Sequence, residues 1–355
     1  MGFKKNTKDL TFADLEMGIQ NRKNRTLKTL TELDKSIAWD SIERILLKDY
    51  PVGHKKEGNA AYSPLLLFKC LLLQKWFRIK SDPELENLIN DRNSFRAFLN
   101  FSNFDVSPDH STFSRFRKRL TLRKFDLIIS DILNQFSNKG ITVNEGVSVD
   151  ARIVKSASKP MSNKKLKQIR DHKSTPEGKL DKNGKPAKFS RDIESDWAIK
   201  NNKAYYGLKE HALVDTSGFI LKTELSPASV HDTKYFQYCT IFSLRTSNRI
   251  KKVYADKGYH GELNRSFLSL NKFQDGIMRK NTTTAKLTTY EKERNKKISK
   301  VRYIVEQYFG LSHLHDNGQK ARFTTITKNN IDIWFRQVAF NIKRGLKITQ
   351  QMAAT

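Results

Sequence analysis

Cysteine is scarce in this chain. Only Cys70 and Cys239 occur among 355 residues, and neither belongs to a CxxC pair or to a cysteine and histidine cluster. A disulfide framework needs several paired cysteines, and a structural zinc site needs ligands at short spacing. The sequence supports neither of these, and we expect reduced thiols in a cytoplasmic protein.

Long apolar runs are also missing. The longest is SPLLLFKCLLLQKWF at residues 63–77, which Lys69 interrupts, and it is shorter than the roughly 20 apolar residues needed to cross a bilayer. We expect it to form a core helix. The first residues, MGFKKNTKDL, are basic but lack the apolar segment of a secretory signal. We therefore expect no membrane contact and a cytoplasmic protein that stays with the chromosome.

Acidic residues are few relative to basic ones. The chain has 37 Asp and Glu against 66 Lys and Arg, which gives a formal net charge of +29. Basic side chains that neutralise phosphates release condensed counterions, so this surplus favours a nucleic acid as partner. A membrane surface as partner would also require an amphipathic anchor, and we find none in the sequence.

The first 139 residues have the pattern of a basic arm followed by helices. Residues 1–34 are polar and basic, and we expect them to be loosely ordered. Residues 35–139 show helical periodicity. Ser81 and Ser107 each precede a proline within two residues, which predicts two helix N-termini. This region is therefore predicted to be an all-helical domain.

Two short helices joined by NFSNFDV (residues 100–106) predict a helix-turn-helix that offers basic side chains to a DNA groove. The candidate DNA-binding residues at its end are Arg115, Arg117, Lys118 and Arg119. A helical bundle with a solvated basic face is the alternative interpretation of the same pattern.

The apolar periodicity changes after residue 140. In GVSVDARIV (residues 146–154), apolar side chains alternate with polar ones, which predicts a strand with Asp150 on its polar face. Two strand-like runs around DTSG predict a β-hairpin, and a helix, a strand and a helix follow. This order indicates a mixed α/β sheet.

A basic segment interrupts this pattern. Residues 159–189 contain ten basic and three acidic residues together with prolines and glycines, so we expect an exposed loop or insertion. It is either a solvated charged loop or a DNA contact.

Three acidic residues have settings that suit catalysis. Asp150 and Asp256 each follow valine-containing strand sequence, so their carboxylates converge if the two strands are neighbours. Glu306 belongs to a predicted helix at about residues 291–313 and shares a face with Arg302 and His313. Apolar neighbours flank that face, and we expect Glu306 to be partly buried.

Acids from two strands and one helix suit a pair of hard divalent cations, which prefer oxygen ligands and bridge phosphate oxygens. Each acid also has a simpler explanation. An aspartate at a strand end commonly caps a turn, and Glu306 with Arg302 has the spacing of an ordinary helical ion pair.

Together these segments resemble the bacterial insertion-sequence transposases with a DDE triad, in particular the insertion sequence five group of the wider insertion sequence four/five-like superfamily. VSVDARIVKSAS, YADKGYHG and RYIVEQYFG are similar to the three catalytic blocks of that family. The resemblance assigns the catalytic, metal-binding acids to Asp150, Asp256 and Glu306. SPDHSTFSRFRKRL and the helical sequence before it look like the family's DNA-binding region.

The resemblance implies a ribonuclease-H-like catalytic domain at residues 140–355, with the basic insertion at 159–189, behind the helical DNA-binding domain at 35–139. It further implies two Mg²⁺ ions, with Mn²⁺ as a substitute, and strand cleavage and transfer at terminal inverted repeats. The partners would be double-stranded DNA, both element ends and target, and a second copy of the chain in a homodimer.

Auxiliary residues fit the resemblance less closely. Relatives often carry tyrosine three residues before Arg302 and lysine seven residues after Glu306, where this chain has Ser299 and His313. Arg302 would position a phosphate or orient Glu306. His313 would contact DNA, with a partly buried structural histidine as the alternative.

The hairpin region supplies weaker DNA-binding candidates, for which ordinary packing is the alternative. They are Lys203 and Lys209, with Tyr206 and His231 beside them.

The sequence leaves two other functions open. The first is a metal-dependent nuclease of the same fold, which would cleave DNA without joining it. The second is a catalytically silent DNA-binding regulator derived from a transposase, against which the intact set of three acids argues.

Overall fold

A computed structural model describes residues 3–4, 24–53, 60–102, 104–141, 146–175, 179–180, 191–246, 250–282 and 285–354. Its contacts divide the chain into two compact units. One comprises Met1–Thr142 with Trp334–Thr355, and the other comprises Val143–Ile333. Among the described residues, no helix has the length and apolar character needed to cross a membrane.

The first unit is helical, as predicted. Among the described residues before 140, its helices are α1 (Arg25–Lys35), α2 (Trp39–Leu47), α3 (Pro64–Trp76), α4 (Asp82–Asp91), α5 (Asn93–Phe98), α6 (His110–Arg117) and α7 (Leu122–Asn138). Helix α1 corrects the expectation of a loosely ordered arm for its last ten residues, because its Leu30 and Leu33 side chains are buried. Residues 1–2 and 5–23 of the predicted arm lie outside the described part.

Side-chain caps define where several of these helices begin. Ser63 accepts a hydrogen bond from the N–H of Leu66 at the start of α3, and Ser81 does the same for α4. The predicted cap at Ser107 is wrong, since α6 begins two residues later behind Asp109, whose carboxylate accepts from Thr112 N at 2.6 Å. A carboxylate at this position also interacts favourably with the helix dipole.

The second unit is built on a mixed sheet. Its strands are β1 (Gly146–Lys155), β2 (Asp196–Lys200), β3 (Lys203–Asp215), β4 (Ile220–Pro227), β5 (Lys252–Ala255) and β6 (Gln274–Ile277). The order is β2-β3-β1-β5-β6, and β4 also pairs with β3. Strand β1 is antiparallel to β3 and parallel to β5, which is in turn parallel to β6.

This arrangement confirms the predicted mixed α/β, ribonuclease-H-like fold. Strands β3 and β4 form the predicted hairpin, and Gly218 in its turn has a φ of 88°, a conformation that glycine adopts without strain. The helices of this unit are α8 (Asn163–Ser174), α9 (Thr233–Thr246), α10 (Glu262–Leu270) and α11 (Thr289–Asp316).

Helix α8 lies in the basic segment at residues 159–189, where we expected an exposed loop or insertion, and it corrects the loop alternative for residues 163–174. Ser162 caps the helix, and Leu166 packs in a buried cluster with Met161, Ile193 and Tyr206. These apolar contacts hold the basic segment against the rest of the unit. The charge pattern of the segment did not predict them. Residues 176–178 and 181–189 of the segment lie outside the described part.

The last helix, α12 (Ile326–Ala354), contributes to both compact units, since its residues from Trp334 onward group with the first unit. The predicted bounds of the catalytic domain stay a prediction. Phe335 packs against Phe68 at a ring distance of 5.0 Å, and the Trp76 indole donates to the Ala339 carbonyl at 3.0 Å. The helices come so close that a Cβ at Gly345 would lie 2.2 Å from the Phe136 ring.

Candidate active site

Asp150 and Asp256 lie on neighbouring parallel strands. In the register of β1 and β5, Val149 is opposite Ala255, and each of these residues directly precedes one of the aspartates. The strands are therefore neighbours, as the sequence predicted. The two carboxylates share one edge of the sheet, at the point where β5 ends.

The surroundings of Asp150 oppose its ionisation. Burial raises the pKa of its carboxyl group, and the nearby charge of Asp256 raises it further. The guanidinium of Arg302 and the N–H of Ala151 act in the opposite direction, but the net pKa shift is upward. A buried acid beside a second acid is an environment that additional positive charge would stabilise.

Arg302 on α11 supplies the positive charge in this structure. Its Nη2 donates to Asp150 Oδ2 at 2.8 Å and lies 3.9 Å from Glu306 Oε1. The arginine side chain is 9% exposed, and its Nε has no hydrogen-bond partner among the described residues. One guanidinium nitrogen thus interacts with two of the three predicted acids.

Glu306 corrects one prediction. Its side chain is 56% exposed instead of partly buried. Helix α11 buries the face that carries Ile298, Arg302 and Val305, and Glu306 lies one residue beyond that face. Its carboxylate is therefore open to solvent and to a ligand.

Asp256 has a local role as well. Its Oδ1 accepts from the N–H of Gly258 at 2.5 Å, and it caps the 3-10 turn Lys257–Tyr259. The turn-capping alternative is thus correct for one carboxylate oxygen.

The oxygen ligands in this site suit a hard divalent cation. Asp150 and Asp256 lie side by side, one of them with a raised pKa, and paired carboxylates are preferred ligands of Mg²⁺ and Mn²⁺. Across the described residues, no group of three His, Cys, Asp or Glu side chains is close enough to hold a metal ion. Glu306 is linked to Asp150 through Arg302, whose Nη2 lies near both carboxylates.

Tyr259 is a residue of this site that the sequence analysis missed. Its side chain is 1% exposed, and its hydroxyl has no hydrogen-bond partner among the described residues. Burial raises its pKa well above the usual value, and the carboxylates of Asp150 and Asp232 add to the shift. Its position three residues after Asp256 was the available signal.

The predicted DNA-binding residues of the first unit divide into two groups. Arg115, Lys118 and Arg119 are exposed. Arg117 corrects the prediction, because its guanidinium is buried and donates to both carboxylate oxygens of Asp82, at 2.6 and 2.8 Å. Its charge holds two helices together and is not presented to a ligand.

The candidates of the second unit also differ in exposure. Lys203 and His313 are exposed, which excludes the buried structural alternative for His313. Lys209 donates to the Val230 carbonyl and pairs with Asp232, each at 2.7 Å, so its ammonium is engaged within the protein. Tyr206 is buried and donates to the Asp192 carbonyl, which supports the packing alternative.

His231, the remaining candidate near the hairpin, is exposed. Its Nδ1 lies 2.8 Å from Thr233 Oγ1, at the start of α9.

Comparison with known protein families gives two matches that together span most of the chain. Residues 18–119 match the family described as Transposase domain (DUF772). Residues 144–342, more than half of the chain, match the family described as Transposase DDE domain.

A curated relative and two solved structures are also similar. The transposase for insertion sequence element IS1106 from Neisseria meningitidis serogroup B is 29% identical over 245 residues, 68% of this chain and 79% of the relative. The piggyBac transposase synaptic complex with hairpin DNA has a TM-score of 0.46 at 9% identity, covering 94% of this chain and 77% of that chain. The Mos1 transposase paired-end complex with left transposon end has a TM-score of 0.20 at 14% identity, covering 85% and 86%.

The prediction of an enzyme that cleaves and transfers DNA strands is confirmed by these family matches. They do not distinguish the insertion sequence five group from its relatives, and that finer assignment stays a prediction. The chain belongs to the transposases that carry the DDE domain.

Proposed function

We propose that this transposase binds the terminal inverted repeats of an insertion sequence and uses Asp150, Asp256 and Glu306 as its catalytic acids. The observation that carries the proposal is the side-by-side placement of Asp150 and Asp256, with Arg302 between Asp150 and Glu306. Water first attacks a phosphodiester bond at each element end and releases a 3′ hydroxyl. That hydroxyl then attacks a phosphodiester bond of the target, so that the new bond forms as the target bond breaks and a target 3′ hydroxyl leaves.

The three acids would hold two Mg²⁺ ions, or Mn²⁺ as a substitute. When bound, such ions activate the attacking oxygen and stabilise the leaving oxygen of an in-line displacement at phosphorus. Arg302 would remain the fixed positive charge of the site, because its side chain is buried and donates a hydrogen bond to Asp150.

Exposed basic residues supply the DNA contacts in this proposal. They are Arg115, Lys118 and Arg119 in the first unit, and Lys203 with His313 in the second. Helical residues 35–139 would recognise the element ends, and the sheet-bearing unit would perform the chemistry. Because an element has two ends, the active complex would contain two copies of the chain, one at each end.

Substitution of each acid by its amide tests the proposal. Asp150→Asn, Asp256→Asn and Glu306→Gln should keep end binding, measured by mobility shift, and lower Mg²⁺-dependent cleavage and joining by at least about 100-fold. Glu293→Gln is the matched control, since Glu293 is an exposed glutamate on the same helix. It should behave like the wild type.

The assay also separates the rival functions. A nuclease of the same fold would release cleaved ends and never yield joined product, and a silent regulator would bind ends without cutting them. A triad variant that joined DNA at the wild-type rate would overturn the assignment of its residue.

A further inference from the structure

Three side chains, of which Glu210 and Tyr308 are buried and Arg152 is 11% exposed, connect the strand of Asp150 with the helix of Glu306. Arg152 is two residues after Asp150 on β1, and Tyr308 is two residues after Glu306 on α11. Glu210 on β3 lies between them, fully buried. Arg152 donates to Glu210 Oε2 from Nε at 2.9 Å and from Nη2 at 2.6 Å, and the Tyr308 hydroxyl donates to Glu210 Oε1 at 2.6 Å.

Arg152 also contacts the helix directly. Its Nη1 donates to the backbone carbonyl of Phe309 at 2.9 Å, and its Nη2 donates to Ser312 Oγ at 2.8 Å. One planar guanidinium thus bonds to a strand through Glu210 and to two successive turns of α11. These bonds restrict both the rotation of the helix and its sliding along the sheet, since each donor direction of a guanidinium is fixed.

Stability alone does not explain such a network. Burying a carboxylate and a guanidinium carries a large desolvation cost, and apolar residues of similar volume often stabilise a fold as well or better. What the network adds is a defined position of α11 against β1. The network thereby also fixes the positions of Arg302 and Glu306, which lie earlier on the same helix.

We infer that Arg152, Glu210 and Tyr308 are positioning residues that hold Glu306 and Arg302 at the correct place relative to Asp150. This inference rests on the proposed function. The network touches none of the three acids and acts through the backbone of α11. A displacement of about 1 Å in a reacting group lowers rates by as much as about 100-fold, so a small loosening of this helix is measurable.

Tyr308→Phe is the test, with Tyr206→Phe as its matched control. Both tyrosines are buried in the same unit and both donate one hydrogen bond at 2.6 Å, Tyr308 to Glu210 and Tyr206 to the Asp192 carbonyl. Tyr308 lies on α11, whereas Tyr206 lies on β3. The two variants should therefore lose similar thermal stability. They should differ in their affinity for the metal ion and in the Mg²⁺ concentration that cleavage requires.

Two readouts are measured on the full chain. One is the Mg²⁺ concentration that gives half-maximal cleavage of an element end, and the other is Mn²⁺ binding without DNA, followed by electron paramagnetic resonance. Tyr308→Phe should raise the half-maximal Mg²⁺ concentration and weaken Mn²⁺ binding, each by about 10-fold. Tyr206→Phe should leave both at the wild-type value.

Ser312→Ala is a milder second variant for the case that Tyr308→Phe does not fold, because it removes a single bond to Arg152. It should shift both readouts in the same direction by about 3-fold. Wild-type metal dependence in either folded variant overturns the inference. A wild-type protein with neither Mg²⁺-dependent cleavage nor Mn²⁺ binding instead overturns the proposed function on which it rests.

Discussion

Arg302 donates to the carboxylate of Asp150 at 2.8 Å across 152 positions of the chain. The arginine side chain is 9% exposed and the aspartate 20%, so water screens this ion pair only weakly. Asp150 and Asp256 would otherwise place two negative charges at one sheet edge. Arg302 therefore stabilises the arrangement of the site in the absence of a bound cation.

Removal of this guanidinium should destabilise the protein. Arg302→Met keeps an unbranched side chain of similar length but leaves Asp150 with no cationic partner, and we expect a loss of about 3 kcal/mol in the free energy of unfolding. Urea denaturation measures it. Mg²⁺ should recover part of the loss, because a cation that binds only the folded state stabilises that state.

Arg279→Met provides the control for this substitution. Arg279 pairs with Asp275 at 3.2 Å, but its side chain is 28% exposed, and such pairs contribute about 1 kcal/mol or less. Mg²⁺ should raise the melting temperature of Arg302→Met more than that of this control. Equal shifts in both proteins would contradict the expectation that Mg²⁺ takes over the role of the lost Arg302 guanidinium, and no shift in either protein would count against metal binding at Asp150.

Local patterns in the sequence predicted the parts of the fold that local physics determines. The alternation of apolar and polar residues in GVSVDARIV placed Asp150 on a strand, and the DTSG turn placed the β3 and β4 hairpin. Strands β2 and β6 were not predicted. Strand β2 is half-exposed and pairs only with the first residues of β3, and β6 is four residues long, so neither has a distinctive apolar period.

The site was predictable in position but not in exposure. Helical spacing correctly grouped Glu306 with Arg302, yet one step of about 100° along a helix separates a buried side chain from an exposed one. Val305 is fully buried and Glu306 is open. Arg117 shows the same limit, since its partner Asp82 is 35 positions away and its burial depends on how α4 packs on α6.

His211 should make the protein less stable in mild acid. It is fully buried on β3, with Nε2 2.9 Å from Ser226 Oγ and its ring stacked on Tyr235. Burial lowers its pKa from 6.5 to about 4, against the opposing effect of Asp232. The unfolded state therefore binds a proton that the folded state does not, between about pH 6.5 and pH 4.

The contribution of neutral His211 to stability is complete above about pH 6.5 and is lost as the pH falls toward 4. Over that window the wild type should lose up to about 3 kcal/mol more than His211→Gln. Denaturation at several pH values measures the difference. His313→Gln, at an exposed histidine on α11, should keep the wild-type pH profile, and identical profiles for all three proteins would refute the prediction.

The C-terminal helix should be required for folding of the first unit. Phe335, Val338 and Ile342 are at most 1% exposed, and Phe125 packs against Trp334 at a ring distance of 5.3 Å. Each fully buried side chain of this kind contributes about 1.5–3 kcal/mol. A fragment of residues 1–142 should therefore be less stable by at least about 5 kcal/mol than one in which residues 334–355 are attached through a flexible linker.

Thermal unfolding of the two fragments by circular dichroism checks this expectation. A third fragment, with Phe335 and Val338 changed to serine in the attached segment, controls for chain length and should resemble the shorter fragment. Cooperative unfolding of residues 1–142 alone at the same temperature as the linked fragment would contradict it.

Two arginines of α6 should separate packing from DNA binding. Arg117 is buried and bidentate to Asp82, whereas Arg115, two residues earlier, is 60% exposed and bonds to Ser111 and Thr112. Arg117→Met leaves the Asp82 carboxylate without its guanidinium and should lower the free energy of unfolding by about 3 kcal/mol. Arg115→Met should change it by no more than about 0.5 kcal/mol.

For DNA binding, we expect the larger effect from Arg115→Met and the smaller effect from Arg117→Met. If Arg115 contacts a phosphate at an element end, its substitution weakens affinity and lowers the slope of log affinity against log salt by about one. Folded Arg117→Met, measured below its melting temperature, should keep the wild-type slope, because its charge never reached the DNA. A lower slope for Arg117→Met with an unchanged slope for Arg115→Met would place the DNA-binding surface of α6 on the face that the structure buries.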